Sequence, residues 1–425
     1  MNNKAKRPLA FVALMLIITV CITSCWSFGG VASGDNLSKG DVQQMIDNSM
    51  KGEITVEGGD HYNVTVNGAQ QENAAAGKSL LSAVSVKCVF KTASYGTSYY
   101  PGATTQKDKS SAGSGVIYKL DKEKGDAYII TNYHVVYYNQ AATKGGISND
   151  ISVYLYGQER EEYAIPAKYV GGSMSYDIAV LKVEGSRVLA ESNAVAVQFA
   201  NSDNVAVLDQ AIAVGNPEAL GISATLGYVN VDSEYITMEG ADGSTQIQLR
   251  VMRIDTAVNS GNSGGGLFNG NGDLIGIVNA KLSNSENMSY AIPSNLVKSV
   301  AENILYYCDG KEESSMYKCM LGITVTSSEL YTVYDKDSGK LLKREVVSVD
   351  ALSATGLAKG VLSVGDIINS ITIDGVKYEV CRMYVVTDSM INARVGSEVV
   401  INITRGGKTL DLRIEISKDA LTEIK

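Results

Sequence analysis

The sequence predicts a mainly β fold divided into two or three domains, on three observations. Short apolar runs recur along most of the 425 residues with glycine turns between them. Glycine is abundant at 42 residues and proline scarce at five. Tyrosine supplies 24 aromatic residues against five phenylalanines and one tryptophan, a mix that suits half-buried strands. With 45% hydrophobic and 20% charged side chains the composition is globular, which excludes disorder or a coiled coil as a description of the whole. The formal charge is −9 and no basic cluster follows the first seven residues, so nucleic acid is not an expected partner. His61 and His134 are the two histidines, too few for a zinc site built on several imidazoles, and neither a metal nor another cofactor is expected.

The amino terminus reads as an address. Lys4, Lys6 and Arg7 precede an uncharged apolar run of 14 residues from Leu9 to Ile22, the layout of a secretory signal. A membrane-spanning helix needs about 20 apolar residues, which the run reaches only by borrowing Thr23 to Phe28. Ile22-Thr23-Ser24-Cys25 resembles a bacterial lipobox, which implies lipidation at Cys25 and a mature chain that starts there. Residues 1–24 are therefore expected to be a lipoprotein-type signal peptide, with an uncleaved anchor as the alternative. Either way the remainder is exported and touches a membrane through its N-terminus only. Loss of residues 1–24 takes the formal charge from −9 to −12, so the mature surface has no attraction for anionic lipid.

Residues 25–79 read as a polar tether carrying one small hairpin, Ile54 to Val56 and Tyr62 to Val66, with His61 exposed in its turn. Strands are then expected at Ala83 to Phe90, Gly115 to Tyr118, Tyr128 to Thr131, Ile151 to Tyr156, Ile178 to Val183, Ala211 to Val214 and Leu274 to Val278. Their spacing indicates a sandwich or barrel, not alternating βαβ units. Residues 91–112 lack periodicity and read as a long loop. Pro293-Ser294 opens a helix with Leu296, Val297, Val300, Ile304 and Leu305 on one face. A domain over 80–308, a linker at 309–316 and a second β unit over 317–418 follow. Cysteines stand at 21, 25, 88, 308, 319 and 381 with no C-x-x-C pair; Cys308 and Cys319 could pair or remain buried thiols.

Three stretches carry chemistry. Thr131-Asn132-Tyr133-His134 places an imidazole after an apolar strand, and Tyr176-Asp177-Ile178 places a carboxylate at the mouth of another. Asn259-Ser260-Gly261-Asn262-Ser263-Gly264-Gly265-Gly266 surrounds one serine with four glycines, so that backbone N–H groups can converge beside its hydroxyl. A phosphate cradle is excluded because no Lys-Ser/Thr pair follows the glycines. Gly261-x-Ser263-x-Gly265 also fits a nucleophile elbow, but that arrangement puts its histidine after the serine, and both histidines here precede Ser263. A subtilisin-like order would need Asp121 or Asp126, which sit in a charged turn. The order that remains is His134, Asp177, Ser263, the chymotrypsin order, with gaps of 43 and 86 residues.

On these residues the chain resembles the HtrA/Deg family of trypsin-fold serine proteases. TNYHVV, DIAVLK, GNPEALGISATLG, RIDTAVNSGNSGGGLFNGNGDLIGI and SYAIPSNLV are similar to the family's successive signatures, over about residues 80–418. The chain departs at Gly266, where the family usually has proline, and at Ser260, where proline is common. The resemblance implies a chymotrypsin-like double β-barrel protease domain followed by a C-terminal PDZ domain. It implies a catalytic triad of His134, Asp177 and Ser263, an oxyanion hole from Gly261, Asn262 and Ser263, and a substrate pocket lined by Ala257, Val258, Asn279, Ala280 and Lys281. No acid stands at that pocket's base, so cleavage after small or medium aliphatic residues is expected. Met320, Leu321, Gly322 and Ile323 would form the PDZ carboxylate loop. Expected partners are unfolded or misfolded proteins at the protease domain, C-terminal peptides at the PDZ domain, and sister copies in a homotrimer. A PDZ binding module or holdase whose protease domain rests idle is the alternative.

Overall fold

A computed structural model describes residues 53–57, 63–67, 71–95, 104–281, 288–310, 315–336 and 338–424, with 53–57, 63–67, 71–74, 93–95, 104–107 and 280–281 described by backbone only. The signal run, Cys25 and His61 lie outside the described residues. Strands β1 (Glu53–Glu57) and β2 (Asn63–Asn67) pair antiparallel, with Glu53 opposite Asn67. Helix α1 (Gln71–Ser82) follows where a tether was expected to continue to residue 79. Its buried face is Ala75, Ser79 and Ser82, and Lys78 pairs with Asp273 at 2.5 Å. A helix that packs through alanine and serine carries no apolar periodicity, which is why composition alone reads it as linker.

Two closed six-stranded barrels come next, so the region 80–308 is mainly β as expected. The first consists of β3 (Ala83–Tyr95), β4 (Thr104–Asp121), β5 (Asp126–Thr131), β6 (Asp150–Leu155), β7 (Ile165–Ser173) and β8 (Ile178–Val183), closed in the order β3-β4-β5-β8-β7-β6. Val84, Val86, Cys88 and Phe90 alternate along β3 into its core with Ile117, Ile129, Val153 and Leu181. A single helical turn, α2 (Tyr133–Val136), leaves the end of β5, and a short α3 (Arg187–Glu191) follows β8. The expected loop over 91–112 is corrected: β3 and β4 stay in register from Ala83 opposite Val116 out to Tyr95 opposite Thr104. Described side chains in this outer part, such as Lys91, Asp108 and Lys109, are exposed or half-buried, so hydrogen bonding and not burial sets the strand and the sequence shows no period of two.

The second barrel consists of β9 (Gln210–Gly215), β10 (Ser223–Glu239), β11 (Gln246–Ile254), β12 (Gly266–Phe268), β13 (Leu274–Lys281) and β14 (Ser289–Pro293), closed as β10-β11-β14-β13-β12-β9. The expected helix is α4 (Ser294–Cys308), which buries Leu296, Val297, Val300 and Ile304.

The C-terminal part is a six-stranded sheet with its own core. After β15 (Met316–Cys319) come β16 (Ile323–Asp335), β17 (Lys340–Leu352), β18 (Ile367–Ile373), β19 (Val376–Glu379), helix α5 (Met383–Ser389), β20 (Glu398–Arg405), β21 (Lys408–Glu415) and β22 (Leu421–Ile424). The sheet runs β16-β17-β18-β20-β21 with β19 on β18, and β22 pairs with β15, which carries the ordered chain past residue 418. Its contacts with the second barrel are polar and dense. Arg250, 3% exposed at its side chain, donates twice to Asp388 Oδ2 and stacks 3.9 Å from the centre of the Tyr384 ring. Asp232 takes both Lys343 and Arg382, and Asp209 takes Lys340. Asn303 on α4, fully buried, donates to both Tyr317 O and Ile391 O at 2.7 Å. Cys308 and Cys319 are buried and not joined in a disulfide, which removes the pairing alternative. Among the described residues no helix is long and apolar enough to cross a membrane.

Breaking a buried ion pair from one side strands the other charge, at a cost of about 3–5 kcal/mol. Asp388→Asn, which leaves Arg250 without its carboxylate, is expected to lower the denaturant midpoint clearly. An unchanged midpoint in urea would show that water reaches this junction.

Candidate active site

The end of β5 and the start of β8 bring an imidazole and a carboxylate together. Asp177 closes a turn onto Met174 O at 3.2 Å and holds φ of 48°, a left-handed conformation unusual for a residue other than glycine. This geometry aims its buried carboxylate at α2. The His134 backbone N–H donates to Asp177 Oδ1 at 3.0 Å, and His134 Nδ1 lies 2.7 Å from Asp177 Oδ2. Two contacts fix the ring and place the proton on Nδ1, which leaves Nε2 as the lone-pair nitrogen. Asn132 Nδ2 donates to Asp177 O at 2.8 Å and ties the two strand ends to each other. Burial pulls the imidazole pKa down, but the Asp177 charge and hydrogen bond outweigh it and hold His134 above the ordinary 6.5.

The serine comes from the other barrel, on the turn before β12. Gly261 and Gly264 hold φ of 96° and 85°, and a Cβ at either would lie 2.3 Å from Asn216 O or 2.2 Å from Ser114 O. Only glycine fits there. Ser114, on β4 of the first barrel, stitches the turn in place: its N–H donates to Ser263 O at 2.8 Å, its Oγ donates to Gly261 O at 2.7 Å, and the same Oγ accepts from Asn216 N at 2.7 Å. Glu218 N holds Ser260 O at 2.7 Å. Among the described residues the N–H groups of Gly261 and Ser263 have no acceptor, while Asn262 N–H is spent on Asn259 O at 3.1 Å. Asn262 is thereby removed from the expected anion-binding set. Ser263 Oγ donates to Asn279 O at 3.0 Å and not to the imidazole.

The expected pocket residues divide. Val258 is buried in the second barrel's core, and Ala257 is exposed with its carbonyl taken by Thr225 Oγ1 at 2.9 Å. The nearby acid, Asp255, is occupied by Tyr228 N at 2.6 Å. Asn279 is 1% exposed and turns its amide onto Asp177 Oδ2 at 2.5 Å, so its side chain leaves the pocket and joins the carboxylate. Ala280 and Lys281 lie on β13 opposite Tyr290 and Ser289. Gly266 sits in β12 between Val214 and Ile277, and a Cβ there would meet the buried Phe268 ring at 2.3 Å. Ser114, Asn132, Asn216 and Asn279 went unnoticed as a support network, since isolated polar residues on strands carry no local signal.

The chain is similar to known proteins. A trypsin-like peptidase domain profile covers residues 113–277. The "Serine protease Do-like HtrA" of Bacillus subtilis (strain 168) is 30% identical over 327 residues, 74% of this chain and 65% of the relative. The "Periplasmic pH-dependent serine endoprotease DegQ" of Escherichia coli (strain K12) is 31% identical over 317 residues, 73% of this chain and 60% of the relative. The chain carries a trypsin-like peptidase domain and is similar to HtrA- and DegQ-type serine proteases. The alignments span less than two thirds of both of these relatives. A solved structure, "HtrA-type protease AlgW with decapeptide", is 24% identical, covering 81% of this chain and 97% of that one at a TM-score of 0.47.

Ser114→Ala removes a buried hydroxyl that serves two backbone groups, and leaving either unsatisfied costs about 1–3 kcal/mol. The variant is expected to unfold at lower urea concentration, and an unchanged midpoint would mean that another group takes over both bonds.

Proposed function

We propose that the chain is a serine endopeptidase of the bacterial cell envelope, acting on unfolded or damaged proteins through a Ser-His-Asp acyl-enzyme mechanism. The observation that carries this reading is the joint placement of a doubly held Asp177–His134 pair and a serine whose turn leaves two backbone N–H groups unpaired. Ser263 Oγ is a weak nucleophile at its own pKa, so His134 Nε2 removes its proton as it attacks the peptide carbonyl, then delivers that proton to the leaving amine. Asp177 holds the tautomer and stabilises the imidazolium without taking the proton. The N–H groups of Gly261 and Ser263 bind the oxyanion, at about 3–4 kcal/mol per donor. Water then attacks the acyl-enzyme by the same route in reverse. With no free acid at Ala257 or Val258, cleavage follows aliphatic residues.

The C-terminal sheet supports a PDZ reading over 317–418. Gly322 holds φ of 72°, and among the described residues the N–H groups of Leu321 and Gly322 have no acceptor, as a loop that binds a terminal carboxylate requires. Among the described residues strand β16 pairs only with β17, which leaves its other edge for an added peptide strand. Export, lipidation at Cys25 and a homotrimer complete the proposal. A second reading, a binding protein with a resting protease domain, is favoured by one contact: the nucleophile's hydroxyl is given to Asn279 O.

Incubation of the ectodomain with unfolded casein separates the two. Cleavage that Ser263→Ala reduces by more than about a thousandfold supports the protease. Binding without cleavage, and no labelling of Ser263 by a fluorophosphonate, supports the resting binder. The base form of His134 is neutral and its pKa lies above 6.5. On an aliphatic peptide, kcat/KM is therefore expected to be low at pH 6 and to rise through the neutral range, and a flat profile from pH 5 to 7 would exclude His134 as base.

A further inference from the structure

We propose that Asn279 is a positioning residue of the hydrolytic centre, which sets the orientation and charge of Asp177 through its side-chain amide; this rests on the protease reading above. Asp177 Oδ2 receives two donors, His134 Nδ1–H at 2.7 Å and Asn279 Nδ2–H at 2.5 Å, while Oδ1 receives the His134 backbone N–H at 3.0 Å. The carboxylate is thus held at three points, and the amide supplies the one that comes from the opposite barrel. Asn279 lies on β13, whereas Asp177 and His134 belong to the first barrel.

The amide's orientation is dictated by this contact. Turned the other way, its oxygen would face a carboxylate oxygen at hydrogen-bond distance. As placed, Asn279 Oδ1 is buried with no hydrogen-bond partner among the described residues. An orphaned buried acceptor is costly, so the fold tolerates a local loss to keep a donor on Asp177. The same residue's backbone oxygen receives the Ser263 hydroxyl at 3.0 Å. Asn279 therefore touches both ends of the triad, and a shift of β13 is felt by the acid and the nucleophile together.

The amide acts on the imidazole through the charge it shares. A donor on Oδ2 draws off part of the negative potential that favours the imidazolium, so its removal raises the His134 pKa. Asp177 is the charged group that faces the ring. Tyr133, on the same turn, stays neutral because burial pushes its phenol up to about 12, and Asp242 on the β10–β11 hairpin faces Tyr133.

The test uses the exported part of the chain in a His61→Gln background, which leaves a single imidazole for NMR titration. Asn279→Ala is expected to raise the His134 pKa by about half a unit and to lower kcat about tenfold with KM unchanged, because the amide does not reach the pocket. Asn279→Asp, of the same shape, puts a second carboxylate against Oδ2 and is expected to raise the pKa further. A pKa equal to the parent's in both variants overturns the proposal, as does a rise in KM at constant kcat, which would return Asn279 to the pocket. If neither variant folds, the parent protein decides: slowly exchanging Asn279 amide protons whose shift follows the His134 titration support the role, and fast exchange with no such shift overturns it. Should the parent neither cleave casein nor react with a fluorophosphonate, the protease reading fails by itself, and the titration still decides what Asn279 does to the Asp177–His134 pair.

Discussion

A site divided between two barrels works only if the barrels cannot slide, and in this chain Ser114 supplies that restraint. It stands on β4 with the strands that position His134 and Asp177, yet three of its polar contacts go to the serine turn and to Asn216 of the second barrel. Thr131 Oγ1 secures Ser114 O at 2.6 Å, which joins the strand that leads into His134 to the same knot. The path from His134 to Ser263 is thereby a run of short, buried hydrogen bonds. Displacing one barrel by an ångström would break several of them at once.

Much of this was legible in the sequence, for a physical reason. The stretch Ile178–Leu181 is buried on both faces of its strand and reads as an unbroken apolar run. The serine turn stands out in the sequence as a candidate site, because the glycines around Ser263 obey a steric rule at one place in the chain. What could not be read depends on partners far away in sequence. Strand β10 loses its alternation at two bulges between Val229 and Glu234, and it carries Leu226, Tyr228 and Tyr235 exposed, so its sequence shows no clear period. Helix α1 shows its packing face only once Gly272 and Asp273 are known to lie beside it. Asn279 looked like pocket wall because position along β13 was visible and the direction of its amide was not.

The C-terminal sheet adds a different kind of constraint. The hairpin β16–β17 was the least readable stretch, and Lys340 and Lys343 on it reach Asp209 and Asp232 of the second barrel. With Arg250 enclosed between Asp388 and Tyr384, the junction is built from charges that each need their partner. Such an interface is specific in angle more than it is strong. It favours one orientation of the sheet over its neighbours, whereas an apolar seam would tolerate small rotations.

Gly266 shows how such constraints couple two positions of one strand. The space beside its Cα is taken up by the Phe268 ring, which is fully buried. A side chain at 266 must displace that ring, and a smaller residue at 268 alone leaves a void beneath the turn. Room for one of the two side chains comes only at the expense of the other.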